Sequence, residues 1–267
     1  MSRRCGVDIW MFRRRSSSAK IPEGPQGRRA YVIGDIHGRL DLLEVLLAAI
    51  HSEIEEQNPD RVLLVFLGDL IDRGPSSAGV LQRLRSYSHP RVQPVFILGN
   101  HEEVLLRILD GETSLIEKWR WFGGAQCLQS YGVEPSALKG LSEAEALKKI
   151  RAAIPEEDVK FLRSFSDTCR FGDYLFVHAG IRPEVALDDQ LQSDLRWIRE
   201  PFLFDETDHG FVVVHGHSIR PKVEERANRI GIDTGAYKSG VLTAMAIEGD
   251  RRWYLDTSQA RTAASQP

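Results

Sequence analysis

The polar segment Gly68–Gly74 constrains the fold of this chain more than any other stretch, because it places two carboxylates and a guanidinium directly after an apolar run. Residues 62–67 are all Val, Leu or Phe, which is typical of a buried strand. Asp69, Asp72 and Arg73 then follow where such a strand would reach solvent. Charges crowded at that point need a cation or an anionic ligand among them. A single Gly-Asp turn is common, so the functional interpretation depends on whether the pattern recurs.

The same order of strand, ligand-bearing turn and helix occurs three times. Apolar runs precede Asp35 with His37, the Gly68–Gly74 segment, and Asn100 with His101. We predict strands over Ala30–Ile33, Val62–Leu67 and Val92–Leu98, and helices over about 39–57, from Pro75 onward and over about 103–109. Three successive βα units imply a mainly parallel sheet whose ligand sites lie at the carboxyl ends of its strands.

Residues 111–170 have a different pattern, mostly helical or irregular, with a capping box that begins at Ser142. Trp119, Trp121 and Phe122 precede two glycines in this region. We interpret it as a helical insert that covers one side of the site. Its aromatic side chains are interpreted as packing rather than as substrate contacts.

Strand patterns return after the insert with few helices between them. They cover Tyr174–Val177, Phe211–Val214, Arg229–Ile232, Val241–Ile247 and Arg251–Leu255. The first ends in His178 and the second in His215-Gly216-His217, whereas the last two carry no ligand. This pattern predicts a second, partly antiparallel sheet packed on the first.

The composition predicts one soluble domain with flexible ends. The chain has 267 residues, 42% of them hydrophobic and 27% charged. Residues 1–29 combine Arg, Lys, Ser and Pro and predict a flexible basic arm. The folded domain is predicted over 30–257 and a loose tail over 258–267. The arm could instead contact anionic lipid or nucleic acid, which the sequence leaves open.

Several classes of protein are disfavoured. The formal net charge of -3 argues against a general nucleic-acid binder. No apolar run approaches the roughly 20 residues that a membrane span needs. Cys5, Cys127 and Cys169 are too far apart for a thiolate zinc site, and their odd number suits no disulfide framework. We therefore expect a cytoplasmic protein, a monomer by default.

The strand ends share one ligand chemistry. Carboxylate, carboxamide and imidazole groups without thiolates favour Mn²⁺, Fe or Zn²⁺. Two cations about 3.5–4 Å apart can bind both an attacking water and phosphoryl oxygens if an anion bridges them, and Asp69 is the natural bridge. Arg73 can then bind a phosphoryl group, and Asp72 can orient a histidine. We infer that this histidine is His101, which could protonate a leaving oxygen.

Together these motifs resemble the PPP family of phosphoprotein phosphatases, within the calcineurin-like metallophosphoesterases. The motifs are Gly34–Gly38, Gly68–Gly74, Gly99–Glu102, His178–Gly180 and Gly216–His217. The resemblance is strongest to bacterial and phage-type members and covers about residues 30–257. It implies an α/β fold, a four-layer αββα sandwich of two mixed β-sheets flanked by helices.

The resemblance also implies site residues. The first metal would be held by Asp35, His37 and Asp69, and the second by Asp69, Asn100, His178 and His217. Asn100 would also contact the substrate, and Arg73 and Arg199 would bind its phosphoryl group. His215 is left outside the ligand set, as a neighbour of the ligands.

The implied reaction is hydrolysis of phosphoserine or phosphothreonine in a phosphorylated protein or peptide. The resemblance implies two divalent ions per chain, Mn²⁺ first with Fe or Zn²⁺ as alternatives. A hydroxide that bridges them would attack phosphorus directly, without a phosphoenzyme. His101 would be the general acid, with Asp72 as its partner.

Three alternatives stand beside this interpretation. A dinucleoside tetraphosphate hydrolase would use the same metals. Asp72 and Glu102 disfavour it, but Leu98 stands where many protein phosphatases carry arginine. A dual or tyrosine-directed phosphatase is also open. An inactive scaffold is disfavoured because none of the expected ligands, nor His101, is missing.

Overall fold

The computed structural model describes residues 21–258, so residues 1–20 of the predicted arm and 259–267 of the predicted tail lie outside the described residues. The strands are β1 (Arg28–Ile33), β2 (Arg61–Phe66), β3 (Val92–Phe96), β4 (Thr168–Phe171), β5 (Tyr174–Val177), β6 (Val212–His215), β7 (Glu224–Glu225), β8 (Arg229–Gly231), β9 (Thr243–Glu248) and β10 (Arg251–Asp256). The helices are α1 (Leu40–Gln57), α2 (Ser77–Arg85), α3 (Asn100–Leu109), α4 (Ile116–Trp119), α5 (Ala125–Ser130), α6 (Glu143–Ala153), α7 (Glu156–Arg163), α8 (Gln192–Trp197) and α9 (Ala236–Ser239).

Two mixed sheets form the centre of the molecule. The first has the order β10-β9-β1-β2-β3, in which β1, β2 and β3 run parallel and β9 is antiparallel to β1. The second has the order β4-β5-β6-β8-β7, with parallel pairs β5–β6 and β6–β8 and antiparallel pairs at both edges. With helices outside them, the sheets form the predicted α/β sandwich.

The alternation of side chains along the central strands explains their continuous apolar sequence. Ala30 and Val32 of β1 belong to the core between the sheets, where they meet residues of β5, β6 and β8. Tyr31 and Ile33 point to the opposite face and pack with α1, α2 and α3. A strand covered on both faces needs apolar residues at every position. Fully burying a Leu, Ile or Phe side chain stabilises the folded state by about 1.5–3 kcal/mol relative to leaving it exposed.

The prediction for the last two strands was wrong in one respect. β9 and β10 return to the first sheet rather than joining the second. β9 lies beside β1, and its residues are buried on both faces: Ala244 and Ala246 on the helix side, Met245 and Ile247 between the sheets. A strand that is apolar on both faces fits the centre of a covered sheet.

Helix α3 begins at Asn100, three residues before the predicted start near 103. The carboxylate of Glu102 accepts a hydrogen bond from the backbone N–H of Gly99 (3.1 Å), which satisfies one of the free donors at the helix start. Asn100 and His101 are therefore held in the first turn of a helix. This fixes their position more firmly than the predicted loop would.

The insert contains α4 to α7, and the predicted capping box is present at α6. The hydroxyl of Ser142 accepts from the backbone N–H of Glu145 (3.4 Å), whose carboxylate accepts from the backbone N–H of Ser142 (2.9 Å). The insert was predicted to extend to residue 170, but β4 already begins at Thr168. This short strand pairs antiparallel with β5 at the edge of the second sheet.

The last residues of the predicted arm contact the domain. The backbone N–H of Gly24 donates to the carbonyl of Gly249 (2.8 Å), and the hydroxyl of Tyr174 donates to the carbonyl of Pro22 (3.2 Å). β1 begins at Arg28, two residues before the predicted strand. Within residues 21–258, no helix combines the length and apolar character needed to cross a membrane.

Candidate active site

The loops that follow the strands of both sheets meet at one edge of the sandwich. The backbone N–H groups of Ile36 and His37 donate to the carbonyl of Asp69 (3.1 and 2.8 Å), which joins the loops after β1 and β2. In the second sheet, Gly216 N–H donates to the carbonyl of His178 (2.8 Å). Left-handed backbone occurs at site residues that are not glycine, namely His37, Asp69, Asp72, Arg73 and His217, with φ between 47° and 71°. Such strained conformations are concentrated at functional sites.

The side chain of Glu102 holds the loop after β2 in place. Its carboxylate accepts from the backbone N–H groups of Asp69 (2.8 Å), Leu70 (2.8 Å) and Ile71 (3.2 Å), in addition to Gly99. Glu102 is itself fully buried. Glu102 was predicted as a motif residue that disfavours a dinucleotide hydrolase, but this structural role was not predicted from the sequence. Glu102 lies just before the predicted helix, and its local sequence does not reveal which backbone amides its carboxylate reaches.

One group of ligand atoms surrounds the side-chain oxygen of Asn100. This Oδ1 lies 2.9 Å from His178 Nε2 and 2.9 Å from His217 Nδ1. His178 Nε2 also lies 3.4 Å from Asp69 Oδ1. The structure thus brings together the four residues predicted for the second metal.

A second group meets at the other carboxylate oxygen of Asp69. His37 Nε2 lies 3.5 Å and His101 Nε2 lies 3.9 Å from Asp69 Oδ2. Arg73 Nη1 lies 2.8 Å from the same His37 nitrogen. Asp69 therefore contributes one oxygen to each group, the arrangement expected of a bridging carboxylate.

Hydrogen bonding shows that these groups suit a cation. The Nδ1 atoms of His37 and His178 lie 2.8 Å from the carbonyls of Ile71 and Leu67, so each Nδ1 carries the proton. The Nε2 lone pair of His37 can accept from Arg73 Nη1. That of His178 instead faces the side-chain oxygens of Asn100 and Asp69, which also have only lone pairs to offer. Such a convergence of acceptors is satisfied by a metal ion.

Burial keeps these histidines neutral, as metal ligands must be. Burial lowers the pKa of His37 and of His178, and it outweighs the opposing effect of Asp69. Burial and the neighbouring His178 lower the pKa of His217 to about 2.

Asp35 is the one predicted ligand outside both groups. Its two carboxylate oxygens accept from the backbone N–H of His217 (3.2 and 3.1 Å). Burial and the carboxylates of Asp233 and Asp69 raise the pKa of Asp35. Asp233, at the end of β8, was not predicted to belong to the site. Only the pairing of β8 with β6 brings it there, and a strand order cannot be read from local sequence.

His101 is paired with Asp72 as predicted. His101 Nδ1 lies 2.6 Å from Asp72 Oδ2, and the indole Nε1 of Trp119 donates to the same oxygen (3.0 Å). Burial alone would lower the pKa of His101, but the carboxylates of Asp69 and Asp72 outweigh it, so this pKa is raised. The contact with Asp72 thus favours a protonated His101.

A cavity of about 450 Å³ opens above these residues. Both predicted phosphate-binding arginines line it, and Arg199 Nη2 lies 3.5 Å from the carbonyl of His217. Arg73 also contacts Tyr237, with its Cζ 4.8 Å from the ring centroid. His215 is in neither ligand group; its Nδ1 contacts the carbonyl of Gly216.

The interpretation of the insert aromatics as packing holds for only one of them. Trp119 is 2% exposed, whereas Trp121 is 84% and Phe122 is 55% exposed. Phe122 lines the cavity together with Trp197. The sequence does not distinguish these neighbours, because the chain kinks between α4 and α5 at Gly123 (φ 120°), and local periodicity does not predict that kink.

The model of the calcineurin-like phosphoesterase family matches residues 28–240. The chain belongs to this family. It is 30% identical over 234 residues to serine/threonine-protein phosphatase 1 of Salmonella typhimurium, which covers 85% of this chain and 95% of that protein. It is 28% identical over 242 residues to the asymmetrical bis(5'-nucleosyl)-tetraphosphatase PrpE of Halalkalibacterium halodurans, covering 80% and 88% of the two chains.

A solved structure provisionally described as a diadenosine tetraphosphatase has the same fold. It aligns with a TM-score of 0.61 at 22% identity, over 85% of this chain and 93% of the other. The predicted membership of the PPP metallophosphoesterases and the predicted fold are confirmed. The chain is a metallophosphoesterase, a hydrolase whose Asp and His side chains are positioned for metal binding. The relatives' names divide between protein and nucleotide substrates.

Proposed function

We propose that this metallophosphoesterase hydrolyses phosphoserine and phosphothreonine in proteins. The observation that carries the proposal is the 2.6 Å contact between His101 Nδ1 and Asp72 Oδ2. Asp72 holds the imidazole so that Nε2 faces the cavity with a proton. A serine or threonine alkoxide is a poor leaving group and needs that proton as its bond to phosphorus breaks.

Two divalent ions per chain form part of this proposal. Asp35, His37 and Asp69 would hold one ion, and Asp69, Asn100, His178 and His217 the other. Bound divalent ions, Mn²⁺ in the first place and Fe or Zn²⁺ as alternatives, would make water more acidic and, by polarising the phosphoryl oxygens, make the phosphorus more electrophilic. In the proposed ligand set, Asp35 supplies a carboxylate from the loop after β1.

The remaining residues position the phosphoryl group. The guanidinium groups of Arg73 and Arg199 can each donate two parallel hydrogen bonds to phosphoryl oxygens and offset their charge as the phosphorus is attacked. Asn100 also lines this space. When water displaces the serine or threonine oxygen, His101 Nε2 gives up its proton to that oxygen. The products are the alcohol and inorganic phosphate.

A dinucleoside polyphosphate is the second candidate substrate. The exposed aromatics Phe122 and Trp197 line the cavity, and so do the cations Arg107 and Lys118. Aromatic faces can stack on a base, and cations can bind additional phosphates. The names of the Halalkalibacterium relative and of the solved structure agree with this alternative.

The proposed setting is the cytoplasm, with a phosphorylated protein or peptide as partner and no nucleic acid. Cys127 and Cys169 are both free thiols. This is compatible with a reducing compartment.

A competition between substrates tests the proposal. Metal-stripped protein resupplied with Mn²⁺ is offered a phosphoserine or phosphothreonine peptide, a phosphotyrosine peptide and diadenosine tetraphosphate. The proposal expects the highest kcat/KM on the phosphoserine or phosphothreonine peptide. A preference for diadenosine tetraphosphate would overturn the proposal that the substrates are proteins, although the proposed metal site would stand. Leu98 would then be the first residue to substitute.

A further inference from the structure

The aromatic turn, defined as Trp119–Gly124 of the insert, packs directly on the loop that carries Asp72 and Arg73. Its first contact is made by Trp119, whose indole N–H donates to Asp72 Oδ2 (3.0 Å). This is the same oxygen that contacts His101 Nδ1. Both Asp72 and Trp119 are buried. Trp119 therefore limits the positions that the Asp72 carboxylate, and with it the imidazole, can take.

The second contact of the aromatic turn is with the backbone of Arg73. The carbonyl of Gly123 accepts from the backbone N–H of Arg73 (3.1 Å). Arg73 has a φ of 65°, a left-handed conformation that costs free energy in a residue with a side chain. The hydrogen bond from the aromatic turn helps to hold this conformation, from which the guanidinium reaches the cavity.

Glycine is required at this contact for two reasons. Gly123 has a φ of 120°, which residues with side chains rarely adopt. A Cβ atom there would also lie 2.4 Å from the Arg73 nitrogen and 2.7 Å from its Cγ. At the next position, a Cβ on Gly124 would lie 2.3 Å from the indole ring of Trp119. The two glycines let the indole and the Arg73 backbone approach the same turn.

We propose that the aromatic turn positions two functional groups separately: Trp119 positions the acid pair His101–Asp72, and Gly123 positions the phosphate-binding Arg73. Neither residue is proposed to touch the reacting atoms, so both are positioning residues. The inference rests on the proposed function in that it requires phosphoester hydrolysis at this site. The two roles predict different kinetic defects, which a loss of stability alone would not produce.

Trp119→Phe tests the first role, because phenylalanine keeps the ring but lacks the N–H. A poorly oriented acid slows substrates with poor leaving groups most. We expect kcat on a phosphoserine peptide to fall about tenfold, as is usual for groups that orient functional residues. We expect kcat on p-nitrophenyl phosphate, whose leaving group needs little protonation, to fall less than about threefold. Trp253→Phe is the matched control, because its indole N–H also binds a carboxylate, that of Glu53 (3.2 Å), away from the site.

Gly123→Ala tests the second role. Displacement of Arg73 weakens phosphoryl binding, so we expect KM and the inhibition constant for inorganic phosphate to rise about tenfold on both substrates. The matched control is Gly111→Ala, where φ is 112° but no heavy atom lies within 4 Å of the added Cβ. This control carries the backbone strain without the collision, so it should leave KM unchanged.

The outcomes separate the inference from the function on which it rests. Wild-type protein that turns over neither ester would contradict the proposed function. If the wild type is active, two results would contradict the positioning roles. One is that Trp119→Phe slows both esters equally, and the other is that Gly123→Ala raises KM no more than Gly111→Ala does. If Gly123→Ala does not fold, the leaving-group dependence of Trp119→Phe decides the inference for the aromatic turn.

Discussion

Asp69 connects the two groups of ligands at the scale of a single residue. Its Oδ1 lies 3.4 Å from His178 Nε2, and its Oδ2 lies 3.5 Å from His37 Nε2. Its backbone is held by Glu102 in a left-handed conformation with φ 50°. One side chain thus sets the spacing of the proposed metal ions.

The role of His101 predicts a specific defect. His101→Ala should lower kcat on a phosphoserine peptide by about 10² to 10⁴, because the leaving oxygen loses its proton donor. The metal content measured on the purified variant should stay at the wild-type value. His51→Ala is the control, since the His51 ring contacts the Tyr87 hydroxyl (2.9 Å) away from the site. An unchanged rate on the peptide would remove His101 from this role, and a loss of metal would make it a ligand.

Glu102 predicts a loss of stability. Glu102→Gln would turn an NH₂ group toward backbone N–H donors, so a buried hydrogen bond would be replaced by two facing donors. Each Glu102 oxygen accepts two of these bonds, so two are lost whichever way the amide turns. We expect the free energy of unfolding in urea to fall by about 2–3 kcal/mol. Glu103→Gln, one residue along the helix and partly exposed, should change it by less than about 1 kcal/mol. Equal effects at the two positions would contradict the anchoring role of Glu102.

At the scale of elements, the sequence predicted the strand ends well and the long-range contacts poorly. The ligand-bearing turns after β1, β2, β3, β5 and β6 were all placed, because an apolar run followed by a polar turn is a local signal. The pairing of β9 with β1 and the approach of Gly123 to Arg73 join segments far apart in the chain. No local periodicity records such contacts. The start of α3 was misplaced because Asn and His are weak helix formers. Side-chain contacts hold it there instead: Gly99 N–H donates to the Glu102 carboxylate, and His101 N–H donates to Asp69 Oδ1.

Helix α6 supplies a prediction about the insert. Ser142→Ala should lower the free energy of unfolding by about 1 kcal/mol, because it removes the hydroxyl that accepts from the backbone of Glu145. Activity should be unchanged, since the cap does not line the cavity. Thermal unfolding of Ser142→Ala is compared with that of Ser164→Ala, whose hydroxyl donates to the nearby carbonyl of Phe161. A loss of activity with Ser142→Ala would show that α6 acts on the site.

At the scale of the whole molecule, the site joins the two sheets. Asp69 and Asn100 follow strands of the first sheet, and His178 and His217 follow strands of the second. A ligand bound by all four stabilises only the folded state, in which the sheets are packed together. Metal binding at this site should therefore stabilise the whole fold, in addition to its proposed part in hydrolysis.

Metal binding should accordingly raise the unfolding temperature. At a free Mn²⁺ concentration 100 times the Kd, each site adds about 2.7 kcal/mol to the free energy of unfolding. Thermal unfolding with Mn²⁺ and with chelator should differ by several degrees for the wild type. Asp69→Asn should abolish most of the difference, whereas Asp158→Asn, a buried aspartate bound by the Tyr131 hydroxyl (2.8 Å), should keep it. If Mn²⁺ raised the unfolding temperature of Asp69→Asn as much as that of the wild type, Asp69 would be excluded as the bridging ligand.

A titration of metal-stripped protein with Mn²⁺ tests the central claim most directly, with hydrolysis of a phosphoserine peptide followed at each addition. Two ions bridged by Asp69 predict that activity rises until two equivalents per chain are bound and then stays constant. Asp69→Asn should remain inactive throughout. A plateau at one equivalent, or full activity before any metal is added, would contradict the dinuclear phosphatase proposed for this chain.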